Sequence, residues 1–339
     1  MNYIEAEHKK AYSYFRHTGR INKCFHCGTE EDIIASHSIS EKRCLNLLAE
    51  SVEGRTGVYG FKHLGLSYVN WFDPYCFAGF EVVGTKVAST FKGFCKTHDQ
   101  ELFKLLDDSD FDESSMKCKF LHCYRAFAKG FHTKNEELKS CNEDSIYKEQ
   151  NKAYIAEREE DIKIGLNLDL QGYDELMKEW LTNEDYTQLE HVCFRTNGFH
   201  PIASASLCQP TFTISNKRFN DYRNTDIPLN HLFINIIPEV ECTYVLISCF
   251  NNQSNSIEFL HELEEVYEDD KDRFGTFLTT LLIFHTENTF VAPSLINSLP
   301  DWRKRQLLLN LRHIVTSGIQ EDLLRNPIEG TLNLFENKF

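Results

Sequence analysis

The sequence predicts an α+β protein in three parts. Two short pairs of cysteine and histidine lie in the first third, aromatic residues recur at helical spacing in the middle, and residues 193–250 alternate between apolar and polar side chains. Alternation with a period of two is typical of antiparallel strands, whereas residues three or four apart share one helix face. We therefore expect an N-terminal unit over 1–110, a helical region over 111–192, and an antiparallel sheet with flanking helices over 193–339.

The two cysteine and histidine pairs predict a zinc site in the N-terminal unit. Cys24 and Cys27 are separated by Phe-His, and Cys95 and His98 by Lys-Thr. Two pairs of soft ligands at this spacing are what a tetrahedral Zn²⁺ requires. Gly28 suits a knuckle that turns back on itself, because glycine adopts a positive φ without strain. The second pair opens an amphipathic helix, so the layout is that of a treble-clef zinc fold.

The N-terminal unit contains several further elements besides its zinc helix. Short apolar runs predict strands and an amphipathic run predicts a helix. The predicted elements are a strand at 32–35, a helix at 41–50, strands at 58–61 and 81–83, and the zinc helix at 97–106.

The middle and C-terminal parts follow from the same two periodicities. Phe120, Tyr124, Phe127 and Phe131 place an aromatic stripe on one face of a long helix, and we expect this stripe to be core. The alternating strands predict a sheet with one face in solvent, suited to recognition or assembly. The predicted strands begin near 193 and include 202–207, 211–214, 231–237 and 243–250, and the helices cover 256–268, 274–284 and 301–314.

Composition favours a cytoplasmic protein. A chain of 339 residues buries a large core without disulfide bonds, so we expect most of the 12 cysteines to be small buried hydrophobic residues. The N-terminal stretch lacks the apolar segment of a signal peptide, and no apolar run has membrane-spanning length. We therefore expect no membrane partner.

The net charge of −15 argues against a protein that coats nucleic acid indiscriminately. A local basic face is still predicted in the long helix, and nucleic acid is the partner that it would bind. The alternative for Arg125 is an ion pair with an acidic neighbour, and a partner protein or self-assembly is the alternative interaction. The basic residues concerned are Lys117, Lys119, Arg125, Lys129 and Lys134.

His37 is the residue with candidate chemistry in the zinc unit. It ends the strand that follows the first cysteine pair, and Asp99 follows His98 directly. This arrangement over residues 20–106 resembles the HNH, or ββα-metal, nuclease family. The resemblance implies that His37 is a general base that activates water, that Asp99 is a ligand of a catalytic Mg²⁺ or Mn²⁺, and that zinc only stabilises the fold.

The sequence departs from the family pattern at three points. Ser36 stands where the family usually has an acidic or histidine ligand, and Ser40 stands near the place of an expected proline. The connection from His37 to Cys95 is also much longer than a compact hairpin. Three alternatives therefore stay open: His37 caps a helix or lies in the core, His37 replaces His98 at zinc, or Asp99 serves only to complement the positive end of its helix.

The whole chain is also similar to a group of uncharacterised prokaryotic proteins with an N-terminal zinc motif, a resemblance that supplies no activity. It is carried by the strings Ser36–Ser40, Thr90–Cys95 with His98 and Asp99, Tyr124–Ala126, and Glu287-Asn288-Thr-Phe. The function we expect is a metal-dependent, HNH-like endonuclease, and the resemblance implies a role in prokaryotic defence against foreign nucleic acid. The alternative is a non-enzymatic, zinc-stabilised module that binds a protein or a nucleic acid.

Overall fold

The computed structural model describes residues 19–61, 80, 82–317 and 332–339. Their secondary structure is a mixture of helices and antiparallel strands, as the periodicities predict. The strands are β1 (Ile33–His37), β2 (Glu50–Val52), β3 (Arg55–Gly60), β4 (Val82–Val83), β5 (Thr90–Cys95), β6 (Leu189–Arg195), β7 (Ile202–Cys208), β8 (Leu232–Pro238), β9 (Thr243–Phe250) and β10 (Thr289–Val291). The helices include α1 (Glu41–Leu45), α2 (Asn46–Leu48), α3 (Lys96–Leu102), α4 (Lys104–Asp108), α5 (Met116–Asn142), α6 (Ile146–Gln150), α7 (Lys152–Ile164), α8 (Tyr173–Thr182), α9 (Ser254–Asp269), α10 (Lys271–Phe284), α11 (Pro293–Asn297) and α12 (Asp301–Ser317).

The large sheet draws strands from both ends of the chain. Its order is β2-β3-β10-β7-β8-β9-β6, and β4 also pairs with β3. All of these pairs are antiparallel. Strands β2 to β4 lie within the first hundred residues, and β10 joins them to the C-terminal strands. The sheet therefore continues across the expected boundary at residue 110.

The strand predicted at 211–214 is wrong. Phe212 forms a single bridge with Arg218, outside the named strands. The chain turns there because Thr213 N–H donates to the Lys217 carbonyl at 2.8 Å, and Asn216 adopts a φ of 63°. A turn this tight leaves too few residues for a ladder.

The prediction of a solvent-facing side of the sheet is also wrong. Every residue of β8 is buried. Phe233 and Ile237 lie in the core shared with α5, whereas Ile234 and Ile236 lie in the core shared with α9 and α10. Burying one such side chain contributes about 1.5–3 kcal/mol. Helices thus cover both faces, and the sheet is a central layer.

Helix α5 packs between the β1–β5 pair and the large sheet, with contacts to β5, β7 and β8. Ser115 caps its N-terminus, where its side chain accepts a hydrogen bond from Cys118 N. Phe120, Tyr124 and Phe127 of the predicted aromatic stripe are fully buried, whereas Phe131 is partly buried and packs against the same core. Within the described residues, the structure contains no helix both long and apolar enough to cross a membrane.

Candidate metal centre and its neighbouring site

The four predicted zinc ligands converge. The thiol sulphurs of Cys24, Cys27 and Cys95 and one ring nitrogen of His98 all lie within 4.8 Å of one another. His98 Nδ1 is 3.2 Å from Cys95 Sγ and 3.6 Å from Cys24 Sγ. Three thiolates and one imidazole form a donor set that fits a closed, tetrahedral Zn²⁺ site.

A tight knuckle presents the first two cysteines. Gly28 N–H donates to the Cys24 carbonyl at 2.8 Å, and Cys24 N–H donates to the Thr29 carbonyl at 2.8 Å. Gly28 has a φ of 75°, a conformation that residues with a Cβ adopt only with strain. The Phe25 amide donates to the Gly93 carbonyl at 2.7 Å, which attaches the knuckle to β5.

The second pair lies where β5 gives way to α3. Strand β5 pairs with β1 in antiparallel register, with Ile33 opposite Cys95. Helix α3 begins at Lys96, so His98 lies in its first turn. A knuckle, an antiparallel strand pair and a helix therefore surround the four ligand atoms.

The ligands lie against the buried face of α5. Burial raises the pKa of the Cys24 thiol to about 11. A metal ion would therefore have to displace a tightly held proton from this thiol in order to bind. His98 also packs on the His26 ring, with centroids 4.5 Å apart, and His26 Nδ1 hydrogen-bonds with the Tyr124 hydroxyl at 2.9 Å. The buried face of α5 thus holds the imidazole ligand in place.

His37 lies outside the four-ligand cluster, half-buried at the end of β1. Its Nε2 is 3.0 Å from the Thr85 carbonyl oxygen. A carbonyl only accepts, so Nε2 must carry the proton and donate it. The neutral ring then has its lone pair on Nδ1, the tautomer that allows Nδ1 to accept a proton.

Asp99 lies within electrostatic range of His37 and Ser36. Burial raises the pKa of the Asp99 carboxyl, while the charge of Arg125, the Ser36 hydroxyl and His37 act in the opposite direction. Ser36 Oγ and Asp99 Oδ1 are both buried, and neither has a hydrogen bond of normal geometry to any described residue. The two predicted catalytic residues are therefore close enough for the charge of His37 to act on the Asp99 carboxyl.

Arg125 forms the ion pair that the sequence left as an alternative. Its Nη1 and Nη2 donate to Asp107 Oδ1 and Oδ2 at 3.0 and 3.1 Å, and its side chain is only 3% exposed. Burial would raise the pKa of Asp107, but the Arg125 guanidinium outweighs it and holds that pKa below the usual value. Both members of the pair act on Asp99, and the positive charge of Arg125 has the larger effect.

The other basic residues of α5 do not share one exposed face with Arg125. Lys117 lies 3.5 Å from a carboxylate oxygen of Glu184. Lys129 Nζ donates to the Thr90 carbonyl at 3.3 Å. Lys119 and Lys134 are half-buried, and Arg125 itself is buried.

The sequence did not predict the roles of two residues near His37, namely Thr85 and Asn288. Thr85 acts through its backbone carbonyl, which no residue-type pattern reveals. Asn288 was singled out with Glu287, and the structure gives it a connecting role: its Nδ2 donates to Ser38 Oγ at 2.8 Å and to the Ala205 carbonyl at 2.9 Å. It therefore ties the segment after His37 to strand β7.

No protein-family model matches the chain, and no curated protein and no solved structure matches it either. Arguments about function therefore depend on the geometry of the site.

Proposed function

We propose that this protein is a zinc-stabilised, HNH-like endonuclease that hydrolyses phosphodiester bonds and contains a treble-clef unit with an expanded hairpin connection. One observation carries the proposal. His37, with Nε2 committed to the Thr85 carbonyl, lies at the end of β1 and within electrostatic range of Asp99 of α3. In this proposal Cys24, Cys27, Cys95 and His98 hold Zn²⁺ away from the reaction.

His37 acts as the general base. With its proton on Nε2, the ring takes the proton of an attacking water at Nδ1. The bond to Thr85 also strengthens as the ring becomes positive, because a charged donor makes a stronger hydrogen bond than a neutral one. Half-exposure lets water reach this part of the ring.

Asp99 is the residue that would hold a hard cation such as Mg²⁺ or Mn²⁺. Its Oδ1 is buried and has no hydrogen bond within the described residues, and carboxylate oxygens are the ligands that such ions prefer. A bound ion would supply charge stabilisation for the phosphate oxygens. The nearby Ser36 hydroxyl is a further oxygen donor in place of the acidic residue that the family pattern has.

The cytoplasmic location and the role in defence against foreign nucleic acid are parts of this proposal that rest on composition and on the resemblance. The described cysteines are all free thiols, as a reducing compartment requires.

The second candidate function is a zinc-stabilised binding module. It is favoured by the Arg125–Asp107 pair, because Arg125 places a buried positive charge near Asp99 and so weakens the attraction of that carboxylate for a cation. The two functions differ in one respect that can be measured, which is cleavage that depends on His37.

The test is cleavage of plasmid, single-stranded DNA and RNA in Mg²⁺ and in Mn²⁺ by the wild type, His37→Ala, Asp99→Asn and a control, His261→Ala. His261 is exposed on α9, and its ring lies near Glu264. We expect His37→Ala to lower the cleavage rate by at least ~10²-fold with unchanged zinc content, because general-base catalysis contributes that much. We expect Asp99→Asn to raise the metal concentration required, and His261→Ala to behave as the wild type. Equal cleavage by His37→Ala, or none by the wild type, would favour the binding module.

A further inference from the structure

We propose that Glu41 and Thr85 are positioning residues that hold His37 in the Nε2–H tautomer and in one orientation. This inference rests on the proposed function, in which His37 Nδ1 is the base. It concerns a part of the chain that lies apart from the zinc ligands.

The first step is the contact between Glu41 and Thr85. Glu41 is the first residue of α1 and is half-buried. Its Oε1 accepts the hydroxyl hydrogen of Thr85 at an oxygen–oxygen distance of 3.0 Å. The same residue, Thr85, offers its carbonyl to His37 Nε2 at 3.0 Å. One side chain therefore fixes the residue whose backbone holds the ring.

The second step is the turn that carries Thr85. The amides of Val87 and Ala88 both donate to the Gly84 carbonyl, at 2.9 and 3.0 Å. Ser89 ends the turn with a φ of 65°, a left-handed conformation that is strained for a residue with a Cβ and persists only where its surroundings hold it. Its hydroxyl and carbonyl both hydrogen-bond Ser38, the residue after His37.

These contacts hold His37 from two directions. Ser89 fixes the backbone that follows it, and Thr85 fixes the ring. The hydrogen bond from Thr85 to Glu41 keeps the Thr85 carbonyl directed at the His37 ring. A substitution at Glu41 should therefore change the orientation of His37, although the two side chains share no hydrogen bond. The sequence supports this geometry, because Ser40 caps α1 by accepting from Arg43 N and so places Glu41 in the first turn.

The experiment uses the full-length, zinc-loaded protein with ¹⁵N-labelled histidine, whose ring-nitrogen shifts report the tautomer directly. The His37 signals are assigned by their loss in His37→Gln. The variants are Thr85→Val, which removes the hydroxyl and keeps the carbonyl, and Glu41→Ala. Each has a conservative partner, Thr85→Ser and Glu41→Gln, that retains a hydroxyl donor or an acceptor oxygen.

We expect Thr85→Val and Glu41→Ala to convert His37 from a single Nε2–H form into a mixture of tautomers. If the chain cleaves phosphodiesters, kcat should fall by ~10-fold with KM unchanged, because a misplaced base affects the chemical step and not substrate binding. Thr85→Ser and Glu41→Gln should restore both readouts. A single Nε2–H tautomer in Thr85→Val and Glu41→Ala would overturn the inference, whatever the activity. Absence of cleavage by the wild type would refute the proposed function, and the tautomer comparison would still decide this one.

Discussion

Asn288→Ala should loosen the connection between the zinc unit and the sheet. Asn288 lies just before β10, and it bonds Ser38, 250 residues away in sequence. Asn288 and Ser38 are 7% and 3% exposed, so water cannot readily replace the lost donor. The Ala205 carbonyl, the second acceptor of Asn288, also loses its bond from this side chain.

The magnitude follows from these two hydrogen bonds. A typical intramolecular hydrogen bond contributes roughly 0.5–1.5 kcal/mol, and a buried group left without a partner costs roughly 1–3 kcal/mol. The backbone bond from Ala205 N to the Asn288 carbonyl does not depend on the side chain. We therefore expect a loss of about 2–3 kcal/mol, equivalent to a fall in Tm of roughly 4–12 °C for a large domain.

The assay is thermal unfolding, together with hydrogen exchange of the Ser38 and Ile39 amides. Asn297→Ala is the matched control, since Asn297 is exposed at the end of α11 and should cost less than about 0.5 kcal/mol. Faster exchange should be concentrated in the segment after His37. A Tm within 1 °C of the control, or unchanged exchange at Ser38, would refute the reasoning.

Three further predictions concern the metal, the pH and the organisation of the chain. Cys24→Ser should contain less zinc than the wild type by elemental analysis and should unfold at a lower temperature, because a bound metal ion stabilises the folded state. Equal zinc in both proteins would refute the proposed metal centre. Burial lowers the pKa of the fully buried His200 and His231 rings to about 3 from 6.5. Below pH 6.5 the unfolded chain therefore binds protons that the folded chain does not. The free energy of unfolding should be highest above pH 6.5 and fall towards pH 3, by about 2 kcal/mol per ring at pH 5. Urea unfolding from pH 7.5 to 5 measures this, and a slope that is the same in His231→Gln would contradict it. A fragment ending near residue 150 should fail to give a cooperative unfolding transition. In this fragment β3 would lack its pairing with β10, and α5 would lack its contacts with β7 and β8. A cooperative, zinc-containing fragment would show that the N-terminal part folds alone.

The sequence predicted the cluster of Cys24, Cys27, Cys95 and His98 because residues of the right chemistry stand in two pairs at a recognisable spacing. It also predicted α5 and the strands β7, β8 and β9, whose lengths are sufficient to show a period. Strand β10 has three residues, too few for a period to appear. The same limit applies to β2.

The burial of the sheet could have been anticipated at one strand. Leu232–Pro238 is an almost unbroken apolar run, which is typical of a strand covered on both faces. The polar residue in that run, Asn235, is itself buried. The bond between His37 and Thr85 could not have been predicted, since a backbone carbonyl has no residue-type signature and the turn that carries it lies 48 positions away.

The positions of His37 and Asp99 depend on two different anchors. Asp99 directly follows His98 of the candidate metal cluster, so its position is fixed through the start of α3. His37 is fixed by the turn at 84–89 and, through Ser38, by Asn288 beside the large sheet. The long connection between β1 and β5 makes this possible, because it sends β2 to β4 into the sheet before the chain returns to β5. A change in either the zinc unit or the sheet would therefore alter the relation between the proposed base and the proposed metal ligand, which is why the site must be tested in the full-length protein.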